Sequence, residues 1–207
     1  MYPSKYAAAH PDRAAFKMAS TGESVSYAEF EARANKLTHL LQTEGLRRQD
    51  HYSIMMENNN RYLEACAAGE RAGLYYTCIN SFLTADELAY ILDNSESQIL
   101  ITSMSKLEVA IEAVAQSSKV RKVLVVDADA NELPNGFEDY ATACQSFPAT
   151  PIDDERLGTS MLYSSGTTGR PKGIIRPLPE QPPSQALPMY DFFCLLYTSD
   201  AADEVSW

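Results

Sequence analysis

The sequence predicts an α/β fold, with strand–helix units alternating on a mostly parallel sheet. Three observations predict it. Hydrophobic periodicity switches between helical and extended spacing at least three times along the chain. The extended segments are near-continuous apolar runs, as expected of strands buried on both faces. The helical segments open on capping residues and close on glycine.

The elements follow in order. In SYAEFEARANKLTHLLQTEG, Ser26 and Glu29 form a capping box, Phe30, Ala34, Leu37 and Leu41 recur at helical spacing, and Gly45 supplies the stop. HYSIMME, from His51, reads as a strand, and Asn60 is placed to cap a helix through RYLEACAAGERAG that ends near Gly73. LYYTCIN is a buried strand by its aromatic and β-branched content. Thr84 and Glu87 form a second capping box before ADELAYILDN. SQILIT is then a strand, KLEVAIEAVAQS a helix, VRKVLVV a strand and GFEDYATAC a short helix. LGTSMLYSS is the last strand before a glycine-rich loop. Crossovers should be right-handed, and ligands in such sheets sit beyond the carboxyl ends of the strands, where the loop at Ser164 is expected.

The 207 residues are 45% apolar, enough for one good-sized core, and carry a formal net charge of −11. That balance argues against a nucleic-acid partner, which requires a basic face. The N-terminal MYPSKYAAAHPDRAAFK has no apolar run of signal-peptide type, and no stretch approaches the ~18 apolar residues of a spanning helix. A cytoplasmic protein is expected, with peripheral membrane association still open. Cys66, Cys78, Cys144 and Cys194 are far apart in the sequence and have no zinc spacing, which suggests packed, reduced thiols. His10, His39 and His51 form no ligand or catalytic pattern.

One motif carries chemistry. YSSGTTGRPKG places Ser164, Ser165, Gly166, Thr167, Thr168, Gly169, Arg170, Pro171 and Lys172 in one run, followed by Gly173. Gly166, Gly169 and Gly173 are expected to turn with positive φ and let backbone approach a ligand. Successive N–H groups in such a turn bind anions. The four hydroxyls add donors, Lys172 adds a compact cation suited to phosphate, and Pro171 stiffens the exit. The order is not the GxxxxGK[ST] of a P-loop, because Gly173 follows the lysine.

YSSGTTGRPKG resembles the phosphate-binding signature of the adenylate-forming, or AMP-binding, superfamily. The resemblance extends over roughly residues 5–176, through SVSYAEFEARANKLTHLL, MMENNNRYLEACAAGERAGLYYTCIN and LTADELAYILDNSESQILITS. The wording of NSFLTADELAYILDNS is closer to acyl-CoA synthetases than to peptide-synthetase domains. The resemblance implies an acid–thiol ligase. A carboxylic or fatty acid attacks the α-phosphorus of ATP to give an acyl-adenylate and pyrophosphate. Coenzyme A then takes the acyl group, with Mg²⁺ assisting the first step. It also implies that Ser164 to Lys172 cradle the leaving phosphates, with Ser164, Thr167, Thr168 and Lys172 in direct contact; Arg170 sits where the family varies, and whether it joins them or faces solvent stays open.

The sequence also departs from the pattern. Family members are more than twice this length, and their later motifs for adenine, ribose, Mg²⁺ and the acyl chain are not found. No lysine follows Lys172 that could serve as the family's C-terminal catalytic lysine. Residues 1–176 are therefore expected to be the N-terminal, incomplete part of an AMP-binding large domain, inactive by itself. Residues 177–193 read as a truncated proline-rich loop, with Pro177, Pro179, Pro182, Pro183 and Pro188. CLLYTSDAADE, from Cys194, matches the in-frame translation of a transposase-type sequencing adapter, so 194–207 are expected to lie outside any fold. Omitting Asp200, Asp203 and Glu204 takes the net charge from −11 to −8 and leaves the argument about partners unchanged. Two other readings stay open. One is a luciferase-like or peptide-synthetase adenylation protein. The other is a non-catalytic interaction module that docks through the proline-rich segment.

Overall fold

The computed structural model describes residues 2–129, 133–164 and 170–185. The expected adapter-like segment 194–207 lies outside the described residues, as do 186–193 of the proline-rich segment and 165–169 of the glycine-rich loop.

The chain opens with a short helix, α1 (Ser4–Ala9), and an antiparallel hairpin of β1 (Ala14–Lys17) and β2 (Ser24–Ser26). Alternation then begins. In order come α2 (Tyr27–Thr43), β3 (His51–Met55), α3 (Tyr62–Ala72), β4 (Tyr75–Cys78), α4 (Ala85–Asn94), β5 (Ser97–Ser103), a 3₁₀ turn over Met104–Lys106, α5 (Leu107–Gln116), β6 (Lys122–Val126), β7 (Phe137–Asp139), α6 (Tyr140–Gln145) and β8 (Thr159–Ser160). Strands β3 to β8 form one six-stranded sheet in the order β7-β6-β5-β3-β4-β8, and every neighbouring pair is parallel.

Two-sided burial explains the apolar runs. Ile99, Ile101, Leu124 and Val126 join Leu37 and Leu41 of α2, Ala65 and Ala68 of α3 and Tyr140 of α6 in one core. Leu100, Val123 and Val125 alternate with them and join Leu88 and Leu92 of α4 and Ala110 and Ala113 of α5 in the other. Alternate side chains of one strand thus serve opposite layers.

Both capping boxes form. Ser26 and Thr84 accept from the N–H groups of Glu29 and Glu87, whose carboxylates return to the cap backbone. Gly73 ends α3 with φ of 67°, in the left-handed region. Three expectations change. Asn60 does not cap α3: its amide donates to Glu23, while Asn59 accepts from the N–H of Arg61. GFEDYATAC divides into edge strand β7 and helix α6, with Asp139 as the cap between them. LGTSMLYSS divides at Met161, and only Thr159 and Ser160 remain in the large sheet.

A buried ion pair joins α1, α2 and α3. Arg71 of α3 is fully buried, and its guanidinium donates to both carboxylate oxygens of Glu31 at 3.0 and 2.9 Å and to the side-chain oxygen of Asn35. Ser4 at the start of α1 donates to the same carboxylate at 2.6 Å. The ring of Tyr2 lies 5.4 Å from the guanidinium carbon. Burial pushes the Glu31 carboxyl upward, but the bonds from Arg71, Ser4 and Asn35 outweigh it, and its pKa lies below the ordinary value. Truncating Arg71→Ala leaves this carboxylate without its main partner and is expected to cost about 3–5 kcal/mol in urea unfolding. An Arg71→Met, Glu31→Leu pair is expected to recover most of that loss.

A second buried acid behaves in the opposite way. Glu64 of α3 accepts from the hydroxyl of Tyr140 at 2.9 Å and from Arg61 at 3.4 Å, while Arg33 stands 4.0 Å away. Burial raises its pKa to about 7, against the pull of Arg61, Tyr140 and Arg33. A raised folded-state pKa means that the native chain holds the proton more tightly than the unfolded one. This contribution is complete below an ordinary glutamate pKa near 4.5 and is lost as pH rises to about 7. Relative to Glu64→Gln, which has no proton to lose, the wild type is therefore expected to lose stability between those pH values. Paired denaturant titrations across the range check this.

Candidate functional site

The glycine-rich loop is closed by a hairpin of its own. After Met161 the chain forms β9 (Leu162–Ser164), and it returns as β10 (Lys172–Ile174), antiparallel to it. The register sets Ser164 opposite Lys172, Tyr163 opposite Gly173 and Leu162 opposite Ile174. Directly opposed residues share a face. Ser164 and Lys172 are therefore brought side by side on the exposed face, at the mouth of the loop between them. Ser165, Gly166, Thr167, Thr168 and Gly169 lie outside the described residues.

The inner face of the hairpin is anchored by two tyrosines of the body. Tyr90 of α4 donates its hydroxyl to the carbonyl of Pro171 at 3.0 Å, and its ring lies 5.1 Å from the guanidinium carbon of Arg170. Arg170 is thus exposed but engaged with an aromatic face. Tyr75 of β4 donates to the carbonyl of Arg176 at 2.6 Å, just beyond β10. Tyr163 itself donates to Asn94 at the end of α4, at 2.7 Å. Burial pushes the Tyr163 phenol up to about 12, so it stays a neutral donor at ordinary pH.

Two expectations about the loop change here. Gly173 has no positive φ; it is an extended residue of β10. Its hydrogen makes room instead, since a Cβ there would run into Met161 and come within 3.1 Å of the Tyr163 ring. The hairpin also differs in place. Its described anchors are on α4 and on Tyr75, the first residue of β4, not on the carboxyl ends of the central strands. The two-residue β8 pairs only with Tyr75 and Tyr76, so the chain leaves the sheet before reaching that edge.

At the carboxyl ends of β3 and β5, Glu57 accepts from Ser103 and Ser105, each at 2.6 Å, so its carboxylate is engaged by donors of the protein itself. Among the described residues no group of three or more His, Cys, Asp and Glu side chains is arranged to hold a metal. Part of the proline-rich segment packs on the body. Leu178 is buried with Tyr75 and Met161, and Arg48 donates to the carbonyls of Leu178 and Pro179 and to Glu180. Neither tyrosine anchor was identified from the sequence. Tyr75 and Tyr90 lie in ordinary strand and helix patterns, and only packing brings them to the loop.

The sequence matches the family of AMP-binding enzymes over residues 4–178. The chain belongs to that family. It is 32% identical over 170 residues to the 3-oxocholest-4-en-26-oate–CoA ligase of Rhodococcus rhodochrous, a match covering 80% of this chain and 30% of that protein. It is 30% identical over 153 residues to a medium-chain-fatty-acid–CoA ligase of Ectopseudomonas oleovorans, covering 71% and 28% respectively. The chain thus spans less than a third of these relatives' length. A crystal structure described as a long-chain-fatty-acid CoA ligase from Rhodopseudomonas palustris superposes with a TM-score of 0.69 at 20% identity, over 83% of this chain and 42% of that one. An anthranilate CoA ligase bound to anthranoyl-AMP also scores 0.69, at 19% identity, over 83% of this chain and 33% of that one. Both share the fold of the six-stranded sheet and its helices.

The anchoring by Tyr90 is open to test. Tyr90→Ala removes the bond to Pro171 and the ring beside Arg170. Losing about 1 kcal/mol of local hydrogen bonding is expected to speed amide exchange across β9 and β10 several-fold, with the six-stranded sheet unchanged. Hydrogen-exchange mass spectrometry reads both.

Proposed function

We propose that this chain forms the phosphate-gripping part of an acyl-CoA synthetase, with residues 1–176 as part of its AMP-binding domain and 177–193 as a loop beside it. The reaction joins a carboxylic acid of fatty or related type to coenzyme A at the expense of ATP, through an acyl-adenylate. One observation carries the reading: the hairpin register sets Ser164 against Lys172 across a glycine- and hydroxyl-rich loop in a chain of the AMP-binding family. The names of the relatives, all CoA ligases of small organic acids, support the substrate class.

The residues suit an anion. Lys172 is exposed, and among the described residues it has no ion-pair partner. Ser164 presents a hydroxyl on the same face. As carboxylate oxygen bonds to the α-phosphorus, negative charge gathers on the departing pyrophosphate. A fixed ammonium and hydroxyl at the loop mouth stabilise that charge with little reorganisation. The adjacent Arg170 is held by the Tyr90 ring, which leaves Lys172 as the cation of the loop. Ser165, Gly166, Thr167, Thr168 and Gly169 complete the proposed cradle with backbone N–H groups and hydroxyls, and Pro171 fixes its exit. Mg²⁺ would supply further charge neutralisation, but the described side chains contain no ligand set for it, and no step is assigned through it. Coenzyme A acts as the thiol acceptor. A cytoplasmic location is part of the proposal; no helix among the described residues is long and apolar enough to cross a membrane.

The test grafts residues 4–178 into the matching part of the Rhodococcus ligase and measures carboxylate-dependent exchange of pyrophosphate into ATP. The graft is expected to support exchange, and the 207-residue chain alone to give none. Lys172→Ala in the graft is expected to lower exchange about 10- to 150-fold, matching the ~1.5–3 kcal/mol of a charge-assisted hydrogen bond. A folded graft in which Lys172→Ala changes nothing would overturn the assignment.

A further inference from the structure

Cys66 and Cys78 are distant in the sequence but meet in space. Cys66 lies on α3 and Cys78 ends β4, and their sulfurs are 3.8 Å apart. Cys66 is buried, whereas Cys78 is exposed. The phenol of Tyr62, the first residue of α3, interacts with Cys78. Neither cysteine takes part in the bonds that hold the hairpin, which Tyr90 and Tyr75 make to Pro171 and Arg176.

We propose that Cys66 and Cys78 form an oxidisable dithiol that closes to a disulfide and ties the first half of α3 to the carboxyl end of β4. A disulfide has an S–S length of about 2.05 Å. The sulfurs therefore need to approach by less than 2 Å from the 3.8 Å contact, a movement within the range of side-chain rotation. The roles follow from the surroundings. The contact with Cys66, opposed by burial and helped by Tyr62, lowers the Cys78 thiol and so favours its thiolate. The same contact, together with burial, pushes Cys66 well up, so it stays a thiol until its partner has reacted. The solvent-facing member is the nucleophile and the buried one resolves.

With hydrogen peroxide as oxidant the step balances. The Cys78 thiolate attacks one peroxide oxygen, the O–O bond breaks, and hydroxide leaves, giving a sulfenic acid. Cys66 then attacks that sulfur, losing its proton as the S–O bond breaks and hydroxide departs. Two thiols and one peroxide give one disulfide and two waters. Cys144 takes no part, since it is buried and burial pushes its thiol up to about 12.

The experiment treats the reduced native chain with hydrogen peroxide and maps its peptides without reduction. The expected product is a single Cys66–Cys78 link lighter by two hydrogens, with Cys144 open to alkylation only after unfolding. In urea the same treatment should scatter links among all the cysteines. Native Cys78 that ends as sulfinic acid without a link, or that links chiefly to Cys144 or Cys194, overturns the proposal. Cys66→Ser is expected to leave a Cys78 sulfenic acid that dimedone traps and that the wild type does not accumulate. Should that variant fail to fold, phenylarsine oxide decides on the wild-type chain, because it needs two neighbouring thiols. It is expected to protect Cys66 and Cys78 together from alkylation, and failure to protect them overturns the proposal.

Discussion

Arg71 is a fully buried cation, and the arrangement around it sets much of the rest. Removing a guanidinium from water is costly unless nearly every donor finds a partner. Here α2 supplies Glu31 and Asn35, and Tyr2 covers the charge. Ser4 and Asn35 also donate to the same carboxylate, so α1, α2 and α3 share one polar centre. The backbone beside it continues the constraint. The carbonyls of Arg71 and Glu70 accept from the N–H groups of Arg156 and Gly158, which steers the returning chain into place beside β4. Gly158 is needed for that approach, since a Cβ would collide with the backbone of Gly69 and Leu74.

The position of the β9–β10 hairpin follows from that docking. Thr159 and Ser160 can pair only with the first half of β4, and the chain then crosses to α4 instead of running to the carboxyl edge. Tyr75 and Tyr90 hold the two sides of the return strand through backbone carbonyls, which does not depend on the side chains of the loop. The stem of the loop is therefore fixed from outside, through residues that flank β10. The same sheet that carries the loop at its β8 edge brings Cys66 and Cys78 together where α3 lies against the end of β4. The hairpin and the cysteine pair thus occupy separate parts of one scaffold.

Much of this was legible along the chain because it rests on local rules. The capping boxes at Ser26 and Thr84 need residues only three apart. The left-handed stop at Gly73 is a property of one residue. Strands buried on both faces leave continuous apolar runs, so β3, β5 and β6 are legible almost to their ends. Weak local signals failed. Edge strand β7 has three residues and no apolar run, so its sequence does not stand apart from the helix that follows. Nothing within LGTSMLYSS marks the change of sheet at Met161, because periodicity records burial and not the partner strand.

By itself the sequence determined the α/β class, the order of most strands and helices, and the family to which the chain belongs, all of which depend on residues close together in the chain. The tertiary structure alone decided the strand order, the burial of Arg71 against Glu31, the tyrosine anchors of the hairpin and the meeting of Cys66 with Cys78. These contacts join residues 12 to 101 positions apart. No local pattern encodes such pairings. They arise when amphipathic helices bury their apolar faces on a parallel sheet, and the polar groups carried inward must find partners wherever the packing brings them.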